Sequence, residues 1–154
     1  MTHDQFLPDE DATTALGRQL GGLLRPGMTL TLSGDLGAGK TTLARGILRG
    51  LGFEGRVKSP TFSLVEVYKF SRLNLYHFDF YRFSDPREWD ESGFREYFND
   101  GSVCLVEWPE RAIGLTPPDL AIQLSLESAG RHIRLTPETA AGQTLLTALI
   151  SPIC

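Results

Sequence analysis

The sequence predicts an α/β protein with a three-layer fold and a mainly parallel central sheet. Two observations support this fold class. A glycine-rich loop, Gly34 to Thr41, joins a short apolar run to a segment whose apolar residues have helical spacing. Strand-like and helix-like segments then follow one another along most of the chain. The chain has 154 residues, which fits a single domain over residues 1–154 because domains usually run to roughly 100–200 residues.

The first third of the chain predicts a helix, a strand and a second helix. Asp9 is a suitable N-cap for a helix that ends at Arg25-Pro26-Gly27, because a short acidic side chain accepts hydrogen bonds from the first helical N–H groups. Residues 28–33 are apolar or β-branched and favour a strand. Residues 42–51 have apolar side chains at helical spacing, and Gly52 favours the end of this second helix.

The rest of the chain predicts further strands, turns and helices. The segments on either side of Ser71-Arg72 favour a hairpin. Thr136-Pro137-Glu138 favours the start of a last helix, which runs to about Ile150 with proline in its first turn. The predicted segments are the hairpin strands 62–70 and 73–80, one or two short helices in Pro86–Asn99, and strands at 103–106, 121–126 and 132–135.

Composition argues against several classes of protein. The chain has 15 Lys+Arg against 19 Asp+Glu, a net charge of −4, whereas a protein that binds nucleic acid on its own usually carries a basic excess. Two cysteines, Cys104 and Cys154, are too few and too far apart for a disulfide framework or a zinc site. The sequence shows neither a leader-like segment nor a run of about 18 apolar residues. We therefore expect a cytoplasmic protein that does not enter membranes.

The loop Gly34 to Thr41 matches the pattern G-x-x-x-x-G-K-[ST] at every fixed position. A strand before it and a helix after it are the context that a phosphate-binding loop requires. Its glycines let main-chain N–H groups point at phosphate oxygens, and the helix N-terminus adds partial positive charge. Lys40 would reach the β- and γ-phosphates of a nucleoside triphosphate, and the Thr41 hydroxyl would bind Mg²⁺. The predicted fold is therefore P-loop NTPase-like.

An acidic residue follows the apolar strand at 103–106. Glu107 there has the form of a Walker B carboxylate, which would lie beside Mg²⁺ if its strand is close to the loop strand. Many buried strands also end in an acid without a function. Trp108 comes next, and its ring either packs against the body of the protein or stacks on a nucleotide base or a partner.

The second hairpin strand ends in a run of polar and aromatic residues. Alternation along a strand places His77, Asp79 and Tyr81 on one face and Phe78 and Phe80 on the other. Asp79 is a candidate to position a water molecule or to hold Mg²⁺ through water. The alternative is a structural ion pair between Asp79 and the arginine at position 82, and His77 alone is typical of a structural histidine.

Ser59, Pro60 and Thr61 precede the hairpin. Phosphate-loop GTPases have a switch segment at this position, with a threonine that senses the γ-phosphate. Proline stiffens the main chain next to Thr61. The alternative is an ordinary turn before a strand.

Four motifs together resemble the TsaE (YjeE) family of bacterial ATPases. That family has G-D-L-G-A-G-K-T-T, S-P-T-[FY], H-x-D-x-Y-R and V-E-W, in this order and with similar spacing over nearly the whole chain. The motifs stand here at Gly34–Thr42, Ser59–Phe62, His77–Arg82 and Val106–Trp108. The resemblance implies an ATPase that docks on the TsaB–TsaD heterodimer during formation of threonylcarbamoyladenosine beside the tRNA anticodon. Contact with tRNA would be indirect, through that complex.

The resemblance also implies roles for individual residues. Lys40, Asp79 and Glu107 would serve catalysis, Thr41 and Glu107 would bind Mg²⁺, and Ser59, Pro60 and Thr61 would form a switch-like segment. ATP would contact Asp35, Gly37, Ala38, Gly39, Lys40, Thr41, Thr42 and Trp108, with Glu10 and Arg131 near the base or ribose.

Three other functions remain as alternatives. A GTPase would need Asn-Lys-x-Asp, but the asparagines of the chain, Asn74 and Asn99, are followed by Leu75 and Asp100. A small P-loop metabolite kinase would need an acceptor pocket and usually a cationic lid, and the sequence has no arginine-rich lid. A nucleotide-sensing switch module would bind ATP without rapid turnover.

Overall fold

The computed structural model describes residues 1–35, 37–85, 87–112 and 114–151. These residues form a seven-stranded sheet with the strand order β1-β7-β6-β2-β5-β4-β3. The strands are β1 (His3–Leu7), β2 (Thr29–Ser33), β3 (Val65–Lys69), β4 (Asn74–Asp79), β5 (Ser102–Glu107), β6 (Leu120–Glu127) and β7 (Gly130–Pro137). The helices are α1 (Glu10–Leu23), α2 (Lys40–Gly50), α3 (Arg87–Ser92) and α4 (Ala140–Ile150), with 3₁₀ helices at Phe94–Tyr97 and Pro109–Arg111.

The sheet is parallel at its centre and antiparallel at both edges. β2 pairs in parallel with β5 and β6, and β5 pairs in parallel with β4. The outer pairs β3–β4, β6–β7 and β1–β7 are antiparallel. The predicted parallel sheet is thus confirmed for the central strands. Because these strands are parallel, their carboxyl ends lie at the same edge of the sheet.

Two hydrophobic clusters cover the two faces of this sheet. The aliphatic cluster includes Val103 and Leu105 of β5 and the buried leucines of α1, α2 and α4. The aromatic cluster consists of Phe78, Phe80, Phe83, Trp89, Cys104, Val106 and Ala112. Because successive residues of β5 alternate between the two clusters, the strand is buried on both sides, which is typical of a central parallel strand.

Helices α1 and α2 touch each other through their main chains. A Cβ atom placed on Gly21 would lie 2.2 Å from the carbonyl oxygen of Ile47, and one on Gly50 would lie 2.2 Å from that of Arg18. Glycine is required at both positions because this close approach leaves no room for a side chain. A Cβ atom on Gly17 would likewise lie 2.7 Å from the Leu43 carbonyl oxygen, so the close approach extends towards the N-termini of α1 and α2.

Most elements predicted from local signals are confirmed. Asp9 caps α1, with its Oδ1 accepting a hydrogen bond of 2.8 Å from the Ala12 N–H. Gly52 has φ +100 after α2, which is the left-handed conformation that ends a helix. The hairpin forms as β3 and β4, with shorter strands than predicted.

Two predictions at the ends of the chain need correction. The sequence predicts no strand at residues 3–7, but these residues form β1 and pair with β7. The last helix does not begin at Thr136-Pro137-Glu138, because Pro137 ends β7 opposite Leu120. Thr139 is the cap of α4 instead, and its Oγ1 accepts from the Gly142 N–H at 3.0 Å.

Some predictions concern residues outside the described ranges. Leu36 of the glycine loop, Pro86 at the start of a predicted helix, and Cys154 all belong to this group. Among the residues that the structure describes, no helix combines the length and the apolar character that crossing a membrane requires.

Candidate functional site

A cavity of about 690 Å³ lies at the carboxyl ends of the central strands. β2 leads there into the glycine loop, β4 ends at Asp79, and β5 ends at Glu107. The parallel register places Asp79 beside Glu107 and Leu32 beside Glu107. Of the predicted site residues, the cavity is lined by Glu10, Gly37, Gly39, Lys40, Thr41, Thr42, Ser59, Thr61, Asp79, Glu107, Trp108 and Arg131.

The glycine loop takes main-chain conformations that only glycine adopts readily. Gly34 has φ +146, and a Cβ atom there would lie 2.4 Å from the carbonyl oxygen of Leu124. Gly39 has φ +105 at the N-cap of α2 and supplies no side chain to the cap. The first N–H groups of α2 therefore have no side-chain partner from the cap residue, which is typical of an anion-binding helix end.

Lys40 is buried at the start of α2 and faces the strand ends. Its Nζ donates a hydrogen bond of 2.7 Å to the carbonyl oxygen of Gly34. The same atom lies 4.0 Å from Oε1 of Glu107 and 4.3 Å from the centre of the Trp108 ring. A buried ammonium group needs such partners because desolvation of a charge is costly.

Glu107 is buried at the end of β5 between two basic groups. Its Oε1 faces Lys40, and its Oε2 lies 2.6 Å from Nε2 of His77. His77 is two residues before the end of β4 and is 1% exposed. Strand alternation predicts His77 on the polar face of this strand, but no local pattern predicts its contact with Glu107.

Asp79 connects the predicted switch-like segment to the cavity. Its Oδ2 accepts a hydrogen bond of 3.1 Å from Thr61 Oγ1, and its Oδ1 accepts one of 2.9 Å from the Tyr81 N–H. Ser59 Oγ lies 2.9 Å from Thr61 Oγ1. The residues singled out in two separate motifs thus form one hydrogen-bonded chain.

The alternative ion pair between Asp79 and Arg82 is not found. No ion pair among the described residues joins these two side chains, and the Arg82 guanidinium lies 4.9 Å from the centre of the Phe62 ring instead. Phe62 itself is 82% exposed. The Asp79 carboxylate therefore remains directed at the cavity.

Trp108 packs against the body of the protein, which is one of the two alternatives, and stacking of its ring on a nucleotide base or a partner stays a prediction. It lines the cavity, and it also packs against the aromatic cluster. The residue has φ 56 and ψ 51, a left-handed conformation that is unusual for a bulky side chain. Its ring lies 4.9 Å from that of Tyr81. This strained turn directs the ring towards Lys40.

The opposite wall of the cavity was only partly predicted. It is formed by the start of α1 and by the β6–β7 turn, and it includes Pro8, Asp9, Thr13, Glu127, Ser128, Ala129 and Gly130 besides the predicted Glu10 and Arg131. Arg131 Nη2 donates a hydrogen bond of 3.2 Å to the carbonyl oxygen of Gly37. The strands predicted at 121–126 and 132–135 imply a turn between them, but no local signal shows that it reaches the glycine loop.

Three predicted site residues do not line the cavity. Asp35 is exposed, and its carbonyl oxygen accepts a hydrogen bond of 3.0 Å from the Ala38 N–H. Ala38 is buried in the aliphatic cluster. Pro60 is also buried, and its carbonyl oxygen accepts from the Leu64 N–H at 2.7 Å. These residues shape the loop main chain.

The described residues contain no group of three or more His, Cys, Asp or Glu side chains that could hold a metal ion by themselves. The carboxylates of Asp79 and Glu107 and the hydroxyl of Thr41 nevertheless line one cavity. Such a set can supply a few oxygen ligands but not a complete coordination shell.

Fold and site define the class of protein to which the chain belongs. It is an α/β protein with a sheet that is parallel at its centre, and its glycine-rich loop meets two acidic strand ends in a polar cavity. The chain is a member of the TsaE family, because the family model described as "Threonylcarbamoyl adenosine biosynthesis protein TsaE" matches residues 7–136.

Individual relatives agree with this assignment. The chain is 41% identical over 150 residues to the tRNA threonylcarbamoyladenosine biosynthesis protein TsaE of Haemophilus influenzae, covering 94% of this chain and 95% of the relative. It is 42% identical over 135 residues to the protein of that name from Bacillus subtilis, covering 88% and 82%. The crystal structure of Bacillus subtilis YdiB superposes with a TM-score of 0.78 at 31% identity and covers 97% of this chain and 95% of that one.

Proposed function

We propose that this chain is an Mg²⁺-dependent ATPase with a P-loop NTPase fold that acts in the biosynthesis of threonylcarbamoyladenosine in tRNA. One observation carries the proposal. Lys40 and Thr41, at the start of α2, line the same cavity as Asp79 and Glu107, at the ends of two adjacent parallel strands. This arrangement combines a phosphate-binding helix end with acidic groups for metal and water.

The phosphate part of the proposal follows from the geometry of α2. The helix has 11 residues, and its positive N-terminal end opens on the cavity. Lys40 adds a full positive charge at the same place and donates to a main-chain carbonyl of its own loop. A phosphate oxygen is a stronger acceptor than a carbonyl oxygen, so Lys40 would transfer its hydrogen bond to the nucleotide.

The residues that line the cavity fit an Mg²⁺ ion that is held jointly by the protein and by phosphate oxygens of the nucleotide. Mg²⁺ prefers oxygen ligands and commonly uses one or two protein groups together with substrate phosphates and water. Thr41 and Glu107 are the groups that would hold it. When bound, the ion would neutralise negative charge on the phosphates during phosphoryl transfer.

Asp79 is the best candidate to orient the attacking water. Its carboxylate is 4% exposed and is held by Thr61 and the Tyr81 N–H. These bonds fix the direction of the carboxylate without neutralising its charge. Movement of Thr61 would change the position of Asp79 directly, which gives the Ser59–Thr61 segment a means to regulate hydrolysis.

Partner proteins would explain how hydrolysis is accelerated. An arginine supplied by another protein is worth about 10³–10⁵ in rate in related reactions. Arg82 lies over Phe62, outside the cavity, and Arg131, which lines it, is assigned to the base or ribose, so the isolated chain is expected to hydrolyse ATP slowly. We further propose that the TsaB–TsaD heterodimer stimulates hydrolysis. The exposed Phe62, next to Thr61, is the residue that we expect to contact the heterodimer. Transfer RNA would act through that complex, consistent with a net charge of −4.

The proposal is tested first by nucleotide binding. We expect Lys40→Ala to weaken the affinity for ATP with Mg²⁺ by about 10- to 100-fold in calorimetric titration, because it removes a charged hydrogen bond to phosphate. Lys69→Ala, an exposed lysine of β3 outside the cavity, is the matched control. Equal affinity of the two folded variants would rule out the phosphate site. Preference for guanine over adenine nucleotides in competition would favour the GTPase alternative.

The second test is steady-state hydrolysis by the protein alone, with the purified heterodimer, and with the heterodimer and tRNA. We expect slow ATP turnover by the protein alone and faster turnover when the heterodimer is present. Fast turnover that ignores the heterodimer would favour an independent enzyme such as a small kinase. Tight binding with no turnover under any condition would favour the nucleotide-sensing module.

A further inference from the structure

His77 is a buried histidine to which the proposed function gives no role. It is 1% exposed, and its Nε2 lies 2.6 Å from Oε2 of Glu107. It is not among the residues that line the cavity, whereas Glu107 is. Direct contact between His77 and a bound nucleotide is therefore not expected, and any effect of this ring must pass through Glu107.

The surroundings of the other ring nitrogen, Nδ1, indicate which nitrogen of His77 acts as the hydrogen-bond donor. Nδ1 is buried and has no hydrogen-bond partner among the described residues. A proton on Nδ1 would be a buried donor without an acceptor, which costs about 1–3 kcal/mol, and more if the ring is charged. Without that proton, Nδ1 leaves only a weaker acceptor unsatisfied. A proton on Nε2 therefore fits the surroundings of the ring, and this proton is donated to Glu107.

We propose that His77 is a positioning residue, which holds the Glu107 carboxylate in one orientation with Oε2 bound to the imidazole. Oε1 is then left on the side of Lys40, 4.0 Å from its Nζ. The inference rests on the proposed function, because it assigns to Glu107 a role towards Mg²⁺ and nucleotide. His77, which does not line the cavity, would then determine the orientation in which Glu107 contacts Mg²⁺ and the nucleotide.

The positions of the two strands make this arrangement specific. The parallel register pairs His77 with Leu105 and Asp79 with Glu107. The imidazole thus approaches Glu107 from the adjacent strand, while Lys40 approaches it from α2. A carboxylate already held at one oxygen loses less rotational freedom when it binds a cation through the other. Groups that orient a metal-binding carboxylate in this way typically contribute about 10- to 100-fold to metal affinity.

The first experiment separates positioning from simple packing. His77→Leu removes the donor, and His77→Gln keeps an N–H at similar reach. By calorimetry we expect His77→Leu to bind ADP with Mg²⁺ about 10- to 100-fold more weakly than the unchanged protein. Its affinity for ADP in EDTA should change less than about threefold, because Glu107 then has no ion to bind. His77→Gln should recover most of the loss, and Thr31→Val, a buried polar residue of β2, should have no effect.

A double-mutant cycle tests whether His77 acts through Glu107. In a Glu107→Gln background, His77→Leu should change the affinity for ADP with Mg²⁺ less than about twofold, because the carboxylate to be oriented is gone. An equal loss in both backgrounds, or an equal loss in EDTA, would show a purely structural histidine and overturn the proposal. Absence of nucleotide binding by the unchanged protein would instead contradict the proposed function itself.

A second measurement does not depend on whether the leucine variant folds. Long-range ¹H–¹⁵N spectra of the unchanged protein without nucleotide at about pH 7.5 report which imidazole nitrogen is protonated. We expect one of the three histidines, assigned by its disappearance in His77→Gln, to carry a proton on Nε2. An Nε2 without a proton would contradict the proposed hydrogen bond.

Discussion

The two faces of the central sheet are packed by different means. On the aliphatic face, α1 and α2 meet main chain to main chain, and Cβ atoms on Gly21 or Gly46 would lie 2.2 and 2.6 Å from carbonyl oxygens of the other helix. On the aromatic face, rings pack on rings, and the centre of the Phe78 ring lies 5.2–5.5 Å from the ring centres of Phe80, Phe94 and Phe98. A main-chain contact has no side chain that can move aside, whereas rings can adjust their rotamers.

This difference divides the cavity into two parts. The start of α1 and the glycine loop belong to the aliphatic face, where α1 and α2 fix Glu10 and Lys40 relative to each other. Tyr81 and Trp108 pack with the aromatic side of the molecule. We infer that the phosphate side is rigid, while the side that carries Tyr81 and Trp108 can move during hydrolysis.

The largest expected effect concerns the Asp79 carboxylate, which lies on the aliphatic face of the sheet together with Leu75. Asp79→Asn keeps the size of the side chain but removes the charge directed at water. We expect it to bind ATP as the unchanged protein does, within about threefold, but to lose about 10²–10⁴-fold in hydrolysis rate with partners present. Single-turnover hydrolysis and calorimetry measure the two quantities separately. Normal hydrolysis by Asp79→Asn would give this carboxylate a structural role only.

The second prediction concerns the rigidity of the aliphatic face. Gly21→Ala places a methyl group against the Ile47 carbonyl, and we expect a loss of about 1–3 kcal/mol in the free energy of unfolding. Gly22→Ala is the matched control in the same helix, because its Cβ meets nothing within 4 Å. Alanine there should stabilise the protein by about 0.5–1 kcal/mol through its helix propensity. Denaturant unfolding measures both values, and a similar effect of the two substitutions would show that α1 and α2 can separate easily.

How much of this molecule the sequence predicts depends on whether the signal is local. The glycine loop, the Asp9 cap and the hairpin were predicted because each depends on residues close in sequence. β1 was missed because His3–Leu7 becomes a strand only by pairing with β7. Pro137 was assigned to a helix for the same reason, since its pairing with Leu120 depends on a strand distant in the chain.

The candidate site follows the same rule. The motifs identified Lys40, Asp79 and Glu107 individually, and the structure brings them into one cavity. The contact of His77 with Glu107 needs β4 and β5 to be neighbours, and the wall at 127–130 needs β6 to lie beside β2. Strand order is a property of the whole fold, so no pattern of adjacent residues reveals either feature.

The last and smallest effect tests whether the aromatic face excludes water as well as the aliphatic face does. Cys104 is buried in the aromatic cluster, and this burial raises the pKa of its thiol to about 12. The unfolded chain has an ordinary cysteine pKa of about 8.5. Above that pH the unfolded state loses a proton that the folded state retains, so stability is complete below about pH 8.5 and decreases as pH rises towards 12.

Cys104→Ser is the control for this titration, because a hydroxyl can keep the hydrogen bond of 3.4 Å to the Tyr97 carbonyl oxygen and does not ionise in this range. Between pH 7 and pH 10 we expect the unchanged protein to lose about 1–2 kcal/mol more of its free energy of unfolding than Cys104→Ser does. Urea unfolding under reducing conditions at both pH values measures the difference. Parallel pH dependence of the two proteins would mean that water reaches the thiol in the folded state. The aromatic face would then be open as well as adjustable, and the side of the cavity that carries Trp108 would rest on a hydrated support.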